Sequence, residues 1–344
     1  MTVNDIAMPF IDELMKYSSC SIVGMEKNTG KTECLNYVMR RLPLDIIKVA
    51  VSSIGIDGET TDQVTHTAKP EIMLREGMYF ATSEKHYLMR KVLSELLEVG
   101  NESTSLGYVV TAKALSNGKV LLSGPSSGSG LKRWMDSMKK YDVDLIIVDG
   151  ALSRMSLASP AISESMILST GAALSANIMN LVQKTAFMVE MINLDRTSDD
   201  NVLRFNDIIT GVWAVDDEGR LRDMHAASSL SPEFDIGDMQ HCRTLFVTGA
   251  LTDAFLSRLR RNKVFKGVEL VVRDFTKIFV SPLTYRMFTG GGNRLCVMQK
   301  SKLIAVTVNP TSPNGIVLDS EKLCDKLSEA INLPVYDLKK NLCN

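Results

Sequence analysis

Ser21-Ile22-Val23-Gly24-Met25-Glu26-Lys27-Asn28-Thr29-Gly30-Lys31-Thr32 is the stretch on which the reading of the fold turns. A mostly apolar run, Cys20 to Val23, enters a glycine-bearing loop that closes on Gly30-Lys31-Thr32, and Glu33 to Leu42 carries the pattern of a helix. A buried strand, a tight loop and a helix in that order make an anion cradle, because successive backbone N–H groups and the positive end of the helix dipole face one point. Each residue type has a task there: Gly30 lets the backbone approach a phosphate, Lys31 reaches its oxygens, and the Thr32 hydroxyl suits a magnesium ion.

The phosphate-binding P-loop pattern, Gly-x4-Gly-Lys-[Ser/Thr], requires its first glycine at the position of Met25, whereas Gly24 lies one residue earlier. The match is partial, and a chance Gly-Lys-Thr in a strand-to-helix turn is the competing reading. If the loop does hold phosphate, the residues around it are Gly24, Lys27, Asn28, Thr29, Gly30, Lys31, Thr32 and Glu33.

Working outward, Asp144-Leu145-Ile146-Ile147-Val148-Asp149-Gly150 is the second strong signal. Its apolar run reads as a buried strand that delivers Asp149 to the edge where the loop sits, the place of a Walker B acid that helps hold magnesium. Buried strands also end in Asp without any metal, so it is the pairing with Gly30-Lys31-Thr32 that favours a nucleotide site. A third run, Ile46 to Val51, is rich in β-branched residues and opens onto Ser52-Ser53-Ile54-Gly55-Ile56-Asp57-Gly58-Glu59. Ligands of open α/β sheets collect beyond the carboxyl ends of the strands, which makes Asp57 and Glu59 either water- or magnesium-positioning carboxylates or members of a solvated acidic turn. Gly124-Pro125-Ser126-Ser127-Gly128-Ser129-Gly130 is a flexible connection or a second phosphate loop, and it lacks the Lys-Thr pair that would complete one. Arg154 reads equally as a contact to a phosphate or a partner and as an ordinary surface residue.

The whole chain sets bounds on these readings. Its 344 residues suffice for about two domains, and 45% hydrophobic with 23% charged residues is an ordinary globular composition. A net charge of -1 gives no electrostatic footprint for nucleic acid. No apolar run reaches the ~18 residues of a membrane span, and Asp5, Asp12 and Glu13 stand where a signal peptide needs positive charge, so a cytoplasmic protein is expected. Six cysteines without a Cys-x2-Cys pair argue against structural zinc and against a disulfide framework.

The remaining pattern alternates strands and helices. Helices are expected over residues 4–17, over Glu84 to Val99 through Tyr87, Val92, Leu96 and Leu97, over Ala176 to Leu194, and over Asp319 to Ile331 with Asp319 as cap. Asn117-Gly118 and Asp216-Asp217-Glu218-Gly219 read as hairpin turns. The polar stretch Asp195 to Asn201 reads as a linker. The expectation is an α/β protein, a mostly parallel sheet flanked by helices of the P-loop NTPase kind over residues 1–195, followed by a C-terminal α/β domain over 196–344.

Gly24-Met25-Glu26-Lys27-Asn28-Thr29-Gly30-Lys31-Thr32 is similar to the Gly-x5-Gly-Lys-Thr loop of dethiobiotin synthetase, within the P-loop class that includes the MinD-like ATPases. Glu26 occupies the position of the MinD signature lysine, and Asp149-Gly150-Ala151 departs from the synthetase's acidic glycine run at Leu152. The chain more closely resembles the reactivase subunit of cobalamin- and PLP-dependent lysine 5,6-aminomutase. That resemblance rests on the loop, on Ser53-Ile54-Gly55 with Asp57-Gly58-Glu59, on Asp149-Gly150-Ala151 with Arg154 and Ser159-Pro160, and on the cluster Asn309-Pro310 with Ser312-Pro313. It implies a helper that binds ATP and Mg²⁺ and restores an inactivated aminomutase together with a second ATPase subunit. Related P-loop proteins often form homodimers across the nucleotide. The competing expectations are a ligase or kinase of the dethiobiotin synthetase type, with Lys48 and Ser52-Ser53 on substrate, and a nucleotide-binding scaffold that never hydrolyses.

Overall fold

The computed structural model describes residues 9–53, 71–151, 159, 162–231 and 239–340. The chain forms two compact units, one built from residues 1–186 and 302–344, the other from 187–301. The expected division into 1–195 and 196–344 therefore does not hold: the second unit is an insertion, and the last 43 residues rejoin the first. The physical reason is strand pairing at long range, which leaves no local trace in composition.

The first unit begins with α1 (Phe10–Leu14), β1 (Ser19–Gly24), α2 (Lys31–Arg41), β2 (Val49–Ser53), β3 (Ile72–Leu74), β4 (Tyr79–Ser83) and α3 (Glu84–Leu88). It continues with β5 (Ser94–Thr104), β6 (Gly107–Ala114), β7 (Gly118–Val120), α4 (Gly128–Ser137), β8 (Leu145–Ala151), β9 (Ser165–Gly171) and α5 (Ile178–Ile192). The unit boundary falls within α5. The second unit holds α6 (Asp199–Phe205), β10 (Val212–Asp216), β11 (Leu221–Asp223), β12 (Cys242–Val247), β13 (Leu251–Thr252) and α7 (Asp253–Arg261). After them come β14 (Glu269–Val272), β15 (Ile278–Phe279), α8 (Pro282–Thr289) and β16 (Arg294–Val297). Then β17 (Lys302–Asn309), α9 (Ser320–Ile331) and β18 (Val335–Asp337) return to the first unit.

The main sheet has nine strands in the order β18-β17-β9-β1-β8-β2-β4-β6-β5. From β18 to β4 every neighbouring pair is parallel, and β6 and β5 close that edge as an antiparallel ribbon. The central strands read as unbroken apolar runs because both faces are covered. Along β2 and β8, Val49, Val51, Leu145 and Ile147 pack in one cluster with Leu35, Val38 and Met39 of α2, whereas Ala50, Ile146 and Val148 pack with Leu131, Trp134 and Met135 of α4. The expected α/β architecture with a large, mostly parallel sheet flanked by helices is thus observed.

Two local readings give way. Only Glu84–Leu88 of the stretch read as a helix to Val99 is helical; the remainder turns into β5, which pairs along β6. Asn117-Gly118 does not close a hairpin either: β7 pairs with β3 rather than β6, and neither residue has the positive φ that such a turn needs. Gly118 is required instead by crowding, since a Cβ there would lie 2.3 Å from the Lys91 carbonyl oxygen.

In the second unit the sheet runs β11-β10-β12-β14-β16, with β12, β14 and β16 parallel. Its core stacks Phe205 on Phe246, ring centroids 4.7 Å apart, beside Val271 and Cys296. The expected hairpin at Asp216 to Gly219 is present between β10 and β11. The polar stretch read as a linker contains the Ser198 cap of α6, whose side chain accepts from the Asn201 N–H.

Candidate functional site

The candidate site lies where the middle of the main sheet ends. At its carboxyl end β1 is flanked by β9 and β8, with Gly24 in register with Ser169 and Ala151. Three parallel strands therefore finish together, and residues 25–30 form the turn from β1 into α2.

That turn holds itself in an unusual backbone shape. Asn28 and Gly30 both take positive φ, 62° and 91°. The buried Thr29 between them donates from its hydroxyl to the Glu26 carbonyl at 2.8 Å, which ties the loop across its own base. The Met25 N–H donates to the Ser169 carbonyl at 2.9 Å. Gly24 is required for closeness, because a Cβ there would stand 2.8 Å from the Thr29 hydroxyl. Gly30 is required for closeness and for φ together: a Cβ there would meet the Asn309 Cβ at 2.9 Å.

Helix α2 starts at Lys31, with Gly30, which has no side chain to cap with, as its cap residue. A helix that opens with bare N–H groups presents a partial positive charge at the loop. Thr32 and the exposed Glu33 stand in that first turn. Lys27 and Asn28 are exposed on the outer side of the loop, and the Lys27 N–H is met by the Glu26 carboxylate at 3.0 Å.

Asp149 comes from the neighbouring strand β8, in register with Ile22 of β1 and Ser53 of β2. Lys31 Nζ lies 2.9 Å from Asp149 Oδ1, with the two side chains 25% and 19% exposed. Asp149 Oδ1 is shielded from solvent and, among the described residues, accepts no hydrogen bond of regular geometry, while the Lys31 ammonium stands beside it. A sheltered carboxylate oxygen suits a cation, and the Thr32 hydroxyl at the start of α2 is a neutral donor of the kind magnesium accepts. Among the described residues no cluster of three or more His, Cys, Asp or Glu offers an all-protein metal site.

Of the residues expected at the site, Gly24, Lys27, Asn28, Thr29, Gly30, Lys31, Thr32, Glu33 and Asp149 are gathered at this one edge. Asp57, Glu59 and Arg154 lie outside the described residues. Ser53, which precedes the segment carrying Asp57 and Glu59, ends β2 opposite Asp149.

One other expectation is corrected, that for Lys48, while for the glycine-serine run the reading as a plain connection is favoured over a second phosphate loop. Lys48 precedes β2 at the amino edge of the sheet, where its Nζ donates to the Tyr141 carbonyl and pairs with Asp142, so it stands at the far end of β2 from Lys31. The glycine-serine run Gly124 to Gly130 leads into α4, whose first turn is capped by Ser127, and the Glu102 carboxylate occupies the space a Gly130 Cβ would enter. A carboxylate at that helix start disfavours a second phosphate there. Gly290 to Gly292 closes α8, and Gly292 has φ 85°.

The residue that sequence reasoning missed is Asn309, at the end of β17. Its side-chain amide donates to the Asn28 carbonyl at 3.1 Å, across 281 positions of sequence. The cluster around Asn309-Pro310 was legible as a turn, but nothing local ties it to the loop. The buried Cys34, one turn into α2, is no nucleophile: burial pushes its thiol up to about 12.

The site is thus a tight loop and helix start beside an acid on the adjacent strand, in an α/β protein. No known protein family, curated protein or solved structure matches the chain.

Proposed function

We propose that the chain is a P-loop nucleotide hydrolase that binds ATP or GTP with Mg²⁺ and acts as a helper that restores a cobalamin-dependent aminomutase. The observation that carries the nucleotide part is the juxtaposition of Lys31, first residue of α2, with Asp149 at the end of the adjacent strand, 2.9 Å apart. The aminomutase part rests on the resemblance of the loop and of Asp149-Gly150-Ala151 to the reactivase subunit, and includes a second ATPase subunit as partner and a cytoplasmic setting.

In this reading the loop N–H groups and the start of α2 bind the β- and γ-phosphates, and Lys31 moves from Asp149 onto their oxygens. Thr32 and Asp149 would hold the magnesium ion, which would supply neutralisation of charge on the phosphates. Asp57 or Glu59 orients the attacking water. Phosphoryl transfer asks the protein for positioning and charge rather than covalent chemistry, and the site offers those two. Hydrolysis biases a conformation that the partner reads, and a homodimer across the nucleotide is part of the proposal.

The ligase or kinase reading loses its substrate lysine, because Lys48 is engaged at the amino edge. Turnover of ATP and GTP measured alone, with a small carboxylate, and with inactivated aminomutase plus the second subunit tests the proposal. Stimulation by the protein partners is expected, and turnover that needs only a metabolite would reverse it.

A further inference from the structure

We infer that Asn309 is a positioning residue that holds the phosphate loop in shape from the far end of the chain. The inference rests on the nucleotide reading above for its consequence, but not for its geometry.

The loop's two left-handed residues, Asn28 and Gly30, flank Thr29, and the Thr29 hydroxyl ties the loop to the Glu26 carbonyl. A second tie comes from Asn309, whose Nδ2 donates to the Asn28 carbonyl at 3.1 Å. Asn309 Oδ1 in turn accepts from the Thr311 N–H at 3.3 Å, which fixes the amide's rotation. Its main-chain carbonyl accepts from the Ala172 N–H at 2.9 Å, anchoring the end of β17 to the end of β9, and Gly171 packs too tightly against that carbonyl to carry a Cβ. The Asn309 Cβ fills the space beside Gly30.

Asparagine suits this place because one side chain supplies both a donor for the loop and an acceptor for the turn that aims it. With its carbonyl claimed by Asn309, Asn28 keeps its peptide orientation, and with it the course of the loop backbone that follows. The site is complete only when β17, the strand on which the chain returns from residues 187–301, is in the sheet.

Asn309→Asp isolates the amide, since the carboxylate keeps the acceptor for Thr311 but sets an oxygen against the Asn28 carbonyl. Two measurements on the full chain test it: amide hydrogen exchange at residues 25–31 without nucleotide, and titration with Mg-ATP and Mg-GTP. Faster exchange confined to residues 25–31, at unchanged melting temperature, is expected. Nucleotide affinity in the titration should fall about tenfold. Asn309→Ala should loosen the loop at least as much.

Equal exchange at residues 25–31 in wild type and Asn309→Asp would overturn the inference whatever the nucleotide result. A wild-type chain that binds neither nucleotide would instead sink the nucleotide reading, while the exchange comparison still decides the role of Asn309.

Discussion

Substituting Gly30 by alanine separates two physical demands on one residue. At φ 91° an added Cβ is strained whatever the surrounding space, and left-handed backbone costs an L-residue about 1–2 kcal/mol. The new Cβ would also stand 2.9 Å from the Asn309 Cβ, an atom carried directly on the backbone of β17 and so unable to swing aside. Overpacking of that kind costs typically ~1–3 kcal/mol. The total is at least about 2 kcal/mol, and for a unit of this size about 2 °C or more is lost per kcal/mol, so the melting temperature should drop by at least ~4 °C. A double-mutant cycle with Asn309→Gly, followed by urea unfolding, divides the two causes. Removing the Asn309 Cβ relieves the collision but not the strain, so the double variant should be more stable than the two single losses predict, by about 1 kcal/mol. A Gly30→Ala chain as stable as wild type, or strict additivity in the cycle, would refute the reasoning.

Other predictions concern the second unit and the thiols. Asp216 is buried, which works to raise its pKa, but Arg220 through side chain and backbone, together with Arg222, holds its carboxyl well below the usual range. Its stabilisation is therefore present above the unfolded carboxylate value near ~4 and is lost as pH falls below it, so wild type and Asp216→Asn should differ in urea midpoint at pH 7 and converge toward pH 2. For His241 the Lys266 carbonyl and then the Asp217 carboxylate raise the pKa. That contribution is full below the unfolded value near ~6.5 and fades as pH rises through the folded one, so His241→Ala should flatten the fall in stability measured from pH 6 to pH 9. Burial pushes the thiols of Cys20, Cys34, Cys242 and Cys296 up to about 12, so peptide mapping after native alkylation at pH 8 should find them unmodified and denaturation should expose them.

The parts of the fold legible in the sequence are those whose cause is local or periodic. β1 and β8 could be read because strands buried on both faces are unbroken apolar runs, and α9 because the Asp319 side chain caps it at the Lys322 N–H. Lys31 and Asp149 could be brought to one edge because parallel strands present their carboxyl ends together. β5 was misread because Tyr87, Val92, Leu96 and Leu97 share a helical spacing, whereas pairing with β6 decides that stretch. The insertion of residues 187–301, and with it the contact of Asn309 with the loop, was hidden because parallel neighbours such as β17 and β9 meet across long stretches of chain without a turn signal between them.

The central claim is that a nucleoside triphosphate binds where β1 meets α2. Isothermal titration of the full chain with Mg-ATP and Mg-GTP, wild type beside Lys31→Ala, tests it most directly, with circular dichroism confirming that both are folded. Saturable binding of at least one nucleotide by wild type and its loss in Lys31→Ala are expected; equal affinity in the two, or no binding by wild type, would contradict a triphosphate site there.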